Sequence, residues 1–474
     1  MYDCRLHQEI ERGRLVKPDH LPTQAPPDAT ALGRTLRTRH VTMIAIGGII
    51  GAGLFVGSST SIATVGPAVI FSYAIAGLVI LMIMRMLSEM AMASPATGTF
   101  TEFVRLGLGH GAGFTCGWLY WYFWVVVIPV EAIAGGVILN NWINLPVWLL
   151  GVGLLAMMTA INLLSTRSYG EFEFWLSSLK VSAIIVFIMI GAAFAFGLTS
   201  PTGPTFSNLT SHGGFAPAGI VAILAGVTSV IFSVVGAEIS TIAAAESSEP
   251  VKTIARAATT VAIRILLFYI LSIGLIVSIL PWDTVKPGVS PFTSTLVYMK
   301  VPGAATAMTL IVLVAVLSCL NSSIYVTSRV LFVLAAKHDA PQWLVKLTRR
   351  KVPARAILVG SLFGYFALAA SVLSPQLVFS FLVNSSGATM LMIYLMVCAA
   401  QIRHRRLLER TDPGALLIKM WLFPYTSYAT AAAILAVLIA MAFKHDLAVQ
   451  LIASLVVAVI VWAAYMILRR GRTA

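Results

Sequence analysis

The chain has 474 residues, of which 58% are hydrophobic and 11% are charged, and its mean hydropathy is +0.91. A soluble fold would leave large apolar surfaces in water, so the composition excludes a soluble globule and predicts an all-α polytopic membrane protein in a lipid bilayer. The net charge of +14 does not indicate a nucleic-acid partner, because the basic residues follow the predicted membrane topology.

Residues 1–40 are polar and lack the short apolar core and small-residue cleavage site of a secretory signal. We predict that they form a cytoplasmic N-terminal tail, and that the first membrane span serves as the insertion signal.

Twelve apolar stretches follow, and each is long enough to cross about 30 Å of hydrocarbon. We number them spans 1 to 12, near 41–64, 67–93, 111–139, 146–165, 172–196, 217–246, 251–279, 302–334, 354–373, 376–400, 421–443 and 446–468. With a cytoplasmic N-terminus, only Lys286, Lys300 and Lys444 lie outside, and Lys180 and Arg264 lie within spans. The positive-inside rule therefore predicts both termini in the cytoplasm.

Span 1 is interrupted by glycines at 47, 48, 51 and 53. Unwound backbone survives in hydrocarbon only where it lines an enclosed site, and a half-helix restarting near Leu54 would offer free N–H groups and a positive dipole end to a carboxylate. The candidate substrate-binding residues here are Ile49, Ile50, Gly51, Ala52 and Gly53. Close helix packing is the alternative, since Gly47 and Gly51 have G-x-x-x-G spacing.

Two charged pairs near spans 2 and 5 are interpreted as structural. Arg85 and Glu89 are four residues apart, a spacing that suits an ion pair on one helix face. Glu171 and Glu173 are interpreted as interfacial charges that precede span 5.

Spans 3 and 5 each carry an ionisable residue at membrane depth. Burial disfavours the charged form of such a group, which makes Glu131 and Lys180 candidates for proton coupling. Glu131 is also a candidate for binding a substrate amine, with a buried structural hydrogen bond as the alternative. For Lys180 the alternative is snorkelling to the interface. The aromatic run 118–124 predicts bundle packing or an interfacial belt, with one or two rings beside the substrate path.

Span 6 is interrupted about five spans after the first break. Carbonyl groups near its break can accept hydrogen bonds from a substrate ammonium, so a zwitterion would fit between the two breaks. The candidates are Phe232, Ser233, Val235, Gly236 and Glu238. For Glu238 the alternative is an acid that pins the second half of span 6 to a neighbour. In span 8 the polar run 318–323 adds Cys319 and Ser322. The thiol of Cys319 and the hydroxyl of Ser322 either face the site or bond nearby carbonyls.

Matched breaks in two halves of a bundle indicate a secondary transporter. Spans 1–5 (41–196) and spans 6–10 (217–400) form a predicted inverted repeat, followed by spans 11 and 12 (421–468). The four cysteines are scattered, so neither a metal site nor a disulfide framework is implied. No nucleophile–base set is evident, and we predict a non-enzyme without a cofactor.

The motifs resemble those of the bacterial amino acid transporter family, in the amino acid-polyamine-organocation superfamily, from about Arg37 to span 12. They are the segments 40–43, 51–57, 169–175 and 236–246. Within that family, the segments 117–121, 318–322 and 385–388 are most similar to those of GABA (4-aminobutyrate) permeases.

The resemblance implies a LeuT-type 5+5 inverted repeat with 12 transmembrane helices, of which helices 1 and 6 are broken, in a bacterial inner membrane. It implies proton-coupled import by alternating access, with Lys180 where sodium sits in sodium-coupled relatives and with Glu131 also implicated. The alternatives are a permease or exchanger for proline, for alanine, glycine or serine, or for aromatic amino acids, and more remotely a transporter-like nutrient sensor. A channel would need a continuous polar stripe that these spans lack. The exact substrate, the residue that carries the proton and the oligomeric state remain open at this point.

Overall fold

The structure is a computed structural model that describes residues 50–94, 100–164, 166–236, 238 and 265–473. These residues are helical apart from their connections and contain no β-strand. Eight of their helices are long and apolar enough to cross a membrane, and four shorter apolar helices fall where the remaining spans are predicted. The prediction of a twelve-span all-α protein is confirmed.

The eight long helices match the predicted spans closely. They are span 2 (Val69–Ala93), span 3 (His110–Leu139), span 4 (Val147–Leu164), span 5 (within Thr166–Ala195), span 8 (Ala304–Ala336), span 10 (Pro375–Thr411), span 11 (Tyr425–Ala442) and span 12 (within His445–Thr473). Span 3 is the most buried of these helices and span 12 the least, so span 3 lies at the centre of the bundle and span 12 at its edge.

The four shorter helices belong to spans 1, 6, 7 and 9. Span 1 is a π-helical turn, Gly53–Gly57, continued by the α-helix Ser58–Val65, and span 6 is Gly219–Val234. Span 7 is Ile265–Leu271 continued by Ser272–Ile279, and span 9 is Ala354–Ala370. The first halves of spans 1 and 7 and the second half of span 6 fall outside the described residues. The described half of span 1 thus begins, and that of span 6 ends, at the predicted breaks.

Span 10 runs further than predicted. Its helix continues to Thr411, so that the basic segment that begins at Arg403 is helical as far as that residue. The helix ends just before Pro413, which cannot continue it.

The predicted pair of Arg85 and Glu89 does not form. Arg85 donates to the Lys419 carbonyl and stacks on Trp421, because these groups lie on its exposed side. Glu89 is buried and accepts instead from Arg405 Nη1 at 2.7 Å and from Gln401 Nε2 at 2.7 Å. An ion pair therefore ties span 2 to span 10 rather than linking two turns of span 2.

A charged cluster lies between span 3, the end of span 8 and the short helix Phe100–Leu108. Lys337 Nζ lies 2.5 Å from Glu102, and Asp339 accepts from Arg105 and lies 3.1 Å from His110 Nε2. Burial lowers the pKa of Lys337, and the Glu102 carboxylate partly offsets this by raising it. The cluster fixes the short helix against the side of the bundle that is predicted to be cytoplasmic.

On the other side, a short helix forms at Pro291–Tyr298, in the connection between spans 7 and 8. Its loop donates a hydrogen bond from the Gly288 N–H to Ser59 Oγ at 2.9 Å, and the Phe292 ring packs 5.0 Å from that of Phe55. The loop and helix thus cover the half-helix of span 1 from the side predicted to be extracellular.

The Glu89–Arg405 pair generates a stability prediction. Removing one partner of a buried pair leaves the other charge uncompensated, so Arg405→Met should destabilise the protein by about 3–5 kcal/mol. Arg403 is exposed and two residues away, and Arg403→Met should change stability by less than about 0.5 kcal/mol. Thermal unfolding of both purified variants in detergent tests this, and equal midpoints would contradict it.

Candidate functional site

The start of the span 1 half-helix is capped by an acid from span 3. Ile50 and Gly51 are buried and non-helical, and the next residue, Ala52, donates its N–H to both carboxylate oxygens of Glu131, at 3.1 and 2.9 Å. Glu131 is 1% exposed. A free helix N-terminus favours an anion, and here the carboxylate of Glu131 fills that role.

Gly51 is required by the close approach of spans 3 and 8. A Cβ at this position would lie 2.5 Å from Cys319 Cβ and 2.6 Å from Glu131 Oε1. These distances are well inside van der Waals contact. The predicted candidates Gly51, Ala52, Glu131 and Cys319 therefore meet at one point, and Ser322 lies fully buried one turn further along span 8.

Span 6 meets span 1 at its own break. Ser233 Oγ donates to the Gly53 carbonyl at 2.7 Å. This bond joins the last turn of the span 6 helix to the first residue of the span 1 half-helix. Beyond Val234 the chain turns extended at Val235, and Gly236 has φ +113°, a conformation that favours glycine. In the described residues, the span 1 helix thus begins and the span 6 helix ends at the breaks that their sequences predict.

Glu238 closes the described part of the span 6 break. One of its carboxylate oxygens accepts from the Gly236 N–H at 3.1 Å and from the Tyr394 hydroxyl of span 10 at 3.4 Å. These bonds fit the structural alternative for Glu238, since they fix the unwound segment to a neighbouring span. They also place a buried carboxylate within the break.

Aromatic rings border the site. Phe123 of span 3 and Phe232 of span 6 have ring centroids 6.3 Å apart, and a Cβ added at Gly53 would lie 3.2 Å from the Phe232 ring. Four of the aromatic side chains in the run 118–124 are buried, namely Tyr120, Trp121, Phe123 and Trp124. This burial favours the bundle-packing interpretation of that run.

Lys180 points into the bundle, which excludes snorkelling. Its side chain is 0% exposed, and Nζ donates to Ser318 Oγ of span 8 at 2.8 Å. The interfacial placement of Glu173 is wrong. Glu173 is also 0% exposed, and its Oε1 lies 3.6 Å from Lys180 Nζ and accepts from Ser318 at 2.5 Å. It points inward because it shares a helix face with Lys180, two turns away.

Three functional candidates were not predicted from the sequence. Glu173 could have been found, since its seven-residue spacing from Lys180 places both on one face of an α-helix. Tyr394 carried no signal, because only the fold brings it to Glu238. Arg329 is 2% exposed in span 8 and stacks over the Tyr325 ring at 3.7 Å, and its position in an apolar span was a readable signal. Of the candidate binding residues, Ile49 lies outside the described part of the chain, as do Gly47 and Gly48 of the span 1 break.

The arrangement suits a small molecule that carries both charges. Backbone N–H groups at the span 1 half-helix can bind an anionic group, and carbonyls at the end of span 6 and the two nearby carboxylates can bind a cation. These groups offer hydrogen bonds and charge, through which a small ligand can be bound and released.

The sequence pattern described as "Amino acid permease" matches residues 40–474. The chain belongs to the amino acid permease family. It is 46% identical to the gamma-aminobutyric acid permease of Bacillus subtilis, over 94% of this chain and 95% of that relative. It is 43% identical to the protein of the same name from Escherichia coli, over 87% and 89% of the two chains.

A solved manganese transporter from Eremococcus coleocola shares the fold, with a TM-score of 0.55 and 13% identity over 97% of this chain and 100% of that one. The protein is thus a multi-pass membrane transporter for amino acids and not an enzyme, with the LeuT-type fold that the resemblance implies.

The crowding at Gly51 generates a binding prediction. Gly51→Ala must displace Cys319 or Glu131, and a shift of about 1 Å in a site can lower activity by about 100-fold. Gly57→Ala is the matched control, because its Cβ would find its nearest neighbour at 3.5 Å, an ordinary contact. Amino acid uptake by cells that express equal amounts of each variant measures the effect. Uptake by Gly51→Ala that equals uptake by Gly57→Ala would show that the approach at Gly51 is not needed.

Proposed function

We propose that this protein is a proton-coupled symporter that imports GABA across a bacterial inner membrane by alternating access, with both termini in the cytoplasm. The observation that carries the proposal is the capped N-terminus of the span 1 half-helix, where Ala52 binds the Glu131 carboxylate. The names of the two permease relatives support GABA as the substrate.

The zwitterion is bound between the two breaks. Its carboxylate takes the N–H groups at Gly51, Ala52 and Gly53, where the helix dipole favours negative charge. Its ammonium is bound by carbonyls near Phe232 and Ser233 and by an adjacent carboxylate. Phe123 and Phe232 exclude water beside the carbon chain.

Competition at the half-helix supplies a physical reason for proton coupling. The Glu131 carboxylate already accepts the Ala52 N–H that the substrate carboxylate requires. Two carboxylates that share one small site cannot easily both be ionised, so substrate entry favours a proton on Glu131 or its displacement. Return of the empty carrier then requires that the proton leave. Lys180 is the second candidate for the coupled proton, and an experiment on variants decides between Lys180 and Glu131.

Uptake of labelled GABA into proteoliposomes tests the function. An inward proton gradient should drive accumulation, whereas sodium should be without effect, and unlabelled GABA should compete better than proline, alanine or phenylalanine. Accumulation that does not depend on the proton gradient would contradict proton coupling. Stronger competition by another amino acid would show that it, rather than GABA, is the preferred substrate.

Two variants decide which residue carries the coupled proton. If Lys180 does, Lys180→Ala abolishes gradient-driven accumulation while GABA binding stays measurable. Normal accumulation in that variant would assign the proton to Glu131, and Glu131→Gln should then lose the coupling. Binding is measured by thermal shift on the same preparations, which also confirms that each variant is folded.

A further inference from the structure

A buried polar stripe on span 5 faces a single hydroxyl of span 8. Glu173, Ser177 and Lys180 are spaced four and three residues apart, which places them along one helix face, and all three are buried. Glu173 and Lys180 both contact the hydroxyl of Ser318, and Ser177 donates to Glu173. Charged groups in a span are costly, so a lysine and a glutamate side by side at this depth indicate a role.

Ser318 bridges the two charged groups. Its Oγ accepts from Lys180 Nζ at 2.8 Å and donates to Glu173 Oε1 at 2.5 Å. The direct distance from Nζ to Oε1 is 3.6 Å, which is too long for a good hydrogen bond. The continuous path between nitrogen and carboxylate therefore passes through the serine hydroxyl.

We propose that Glu173 accepts the proton that leaves Lys180, through the hydroxyl of Ser318. This proposal rests on the proton coupling stated above. In the transfer, the Nζ–H bond breaks as a new O–H bond forms on Ser318, and the old O–H bond of Ser318 breaks as an O–H bond forms on Glu173 Oε1. The products are a neutral amine, an intact serine and a protonated glutamic acid, with no change in total charge.

The second carboxylate oxygen of Glu173 supports this exchange. Among the described residues, Oε2 is buried and has no hydrogen-bond partner. A fixed anion in a dry site needs both oxygens satisfied, whereas a carboxyl that is neutral for part of a cycle does not. The geometry thus fits an acid that changes its charge better than one that only anchors a lysine.

The neighbouring spans contribute few other titratable groups in the part of the chain that is described. Glu131 of span 3 and the Cys319 thiol of span 8 interact electrostatically with Lys180. Span 7 also packs on span 5, and over Leu267–Ile279 its titratable side chain is Tyr269, which lies against Tyr73 of span 2. A change in the charge of Lys180 or Glu173 therefore alters the electrostatic environment of Glu131 and Cys319.

The test compares four variants of the full-length protein in proteoliposomes, with GABA accumulation recorded against external pH. Glu173→Gln and Ser318→Ala should each lower proton-driven accumulation by at least about tenfold and flatten its pH dependence, since general acid–base steps contribute about 100-fold or more. Ser318→Thr keeps the hydroxyl and should restore both. Ser177→Ala is the matched control, since Ser177 donates to the same Oε1 at 3.0 Å but is not part of the proposed path from Lys180 through Ser318.

The outcomes separate this inference from the proposed function. A wild-type protein that ignores the proton gradient overturns the proposed function and this inference together. A coupled wild type with normal accumulation and pH dependence in Glu173→Gln overturns only the inference. If Glu173→Gln does not fold, Ser318→Ala and Ser318→Thr decide: equal pH profiles for the two contradict the relay, and loss in Ser318→Ala alone supports it.

Discussion

Backbone that leaves its helix inside hydrocarbon must find partners for its polar groups, and this constraint organises the centre of the protein. At span 1 the partner is the carboxylate of Glu131, which binds the Ala52 N–H. At span 6 the partner is Glu238, which binds the Gly236 N–H. At each break a buried carboxylate therefore accepts a hydrogen bond from a backbone N–H group, and that bond also fixes the position of the carboxylate. A ligand that enters must take over some of these bonds.

Span 8 connects the two groups of buried charges through neighbouring residues. Ser318 contacts Lys180 and Glu173 on span 5, while Cys319 packs against Gly51 of span 1. A movement of span 8 relative to span 5 would therefore alter the serine bridge and the fit around the half-helix together. Under the proposed function, such a shared, rigid element would couple the substrate site to the proton site, since packed helices shift as units.

Much of the fold could be predicted from the sequence, because hydropathy and glycine placement report directly on membrane spans and their breaks. The breaks near Gly51 and Gly236 and the inward position of Lys180 were all predictable. Which side chains meet across spans was not, as the wrong pairing of Arg85 with Glu89 and the wrong placement of Glu173 show. The first error came from pairing two charges by their spacing on one helix, and the second from assigning a charged residue near a helix end to the interface. Side chains such as Arg405 and Ser318, distant in sequence, draw those charges inward, and only the packing of the helices brings them there.

The central claim is that a substrate carboxylate replaces Glu131 at the start of the span 1 half-helix. A cryo-electron microscopy structure of the protein with GABA bound tests this claim most directly. The account predicts the GABA carboxylate within hydrogen-bonding distance of the N–H groups of Gly51, Ala52 and Gly53, with Glu131 moved away from Ala52 or sharing a proton with the ligand. GABA bound elsewhere, with Glu131 still holding both its bonds to Ala52, would contradict it.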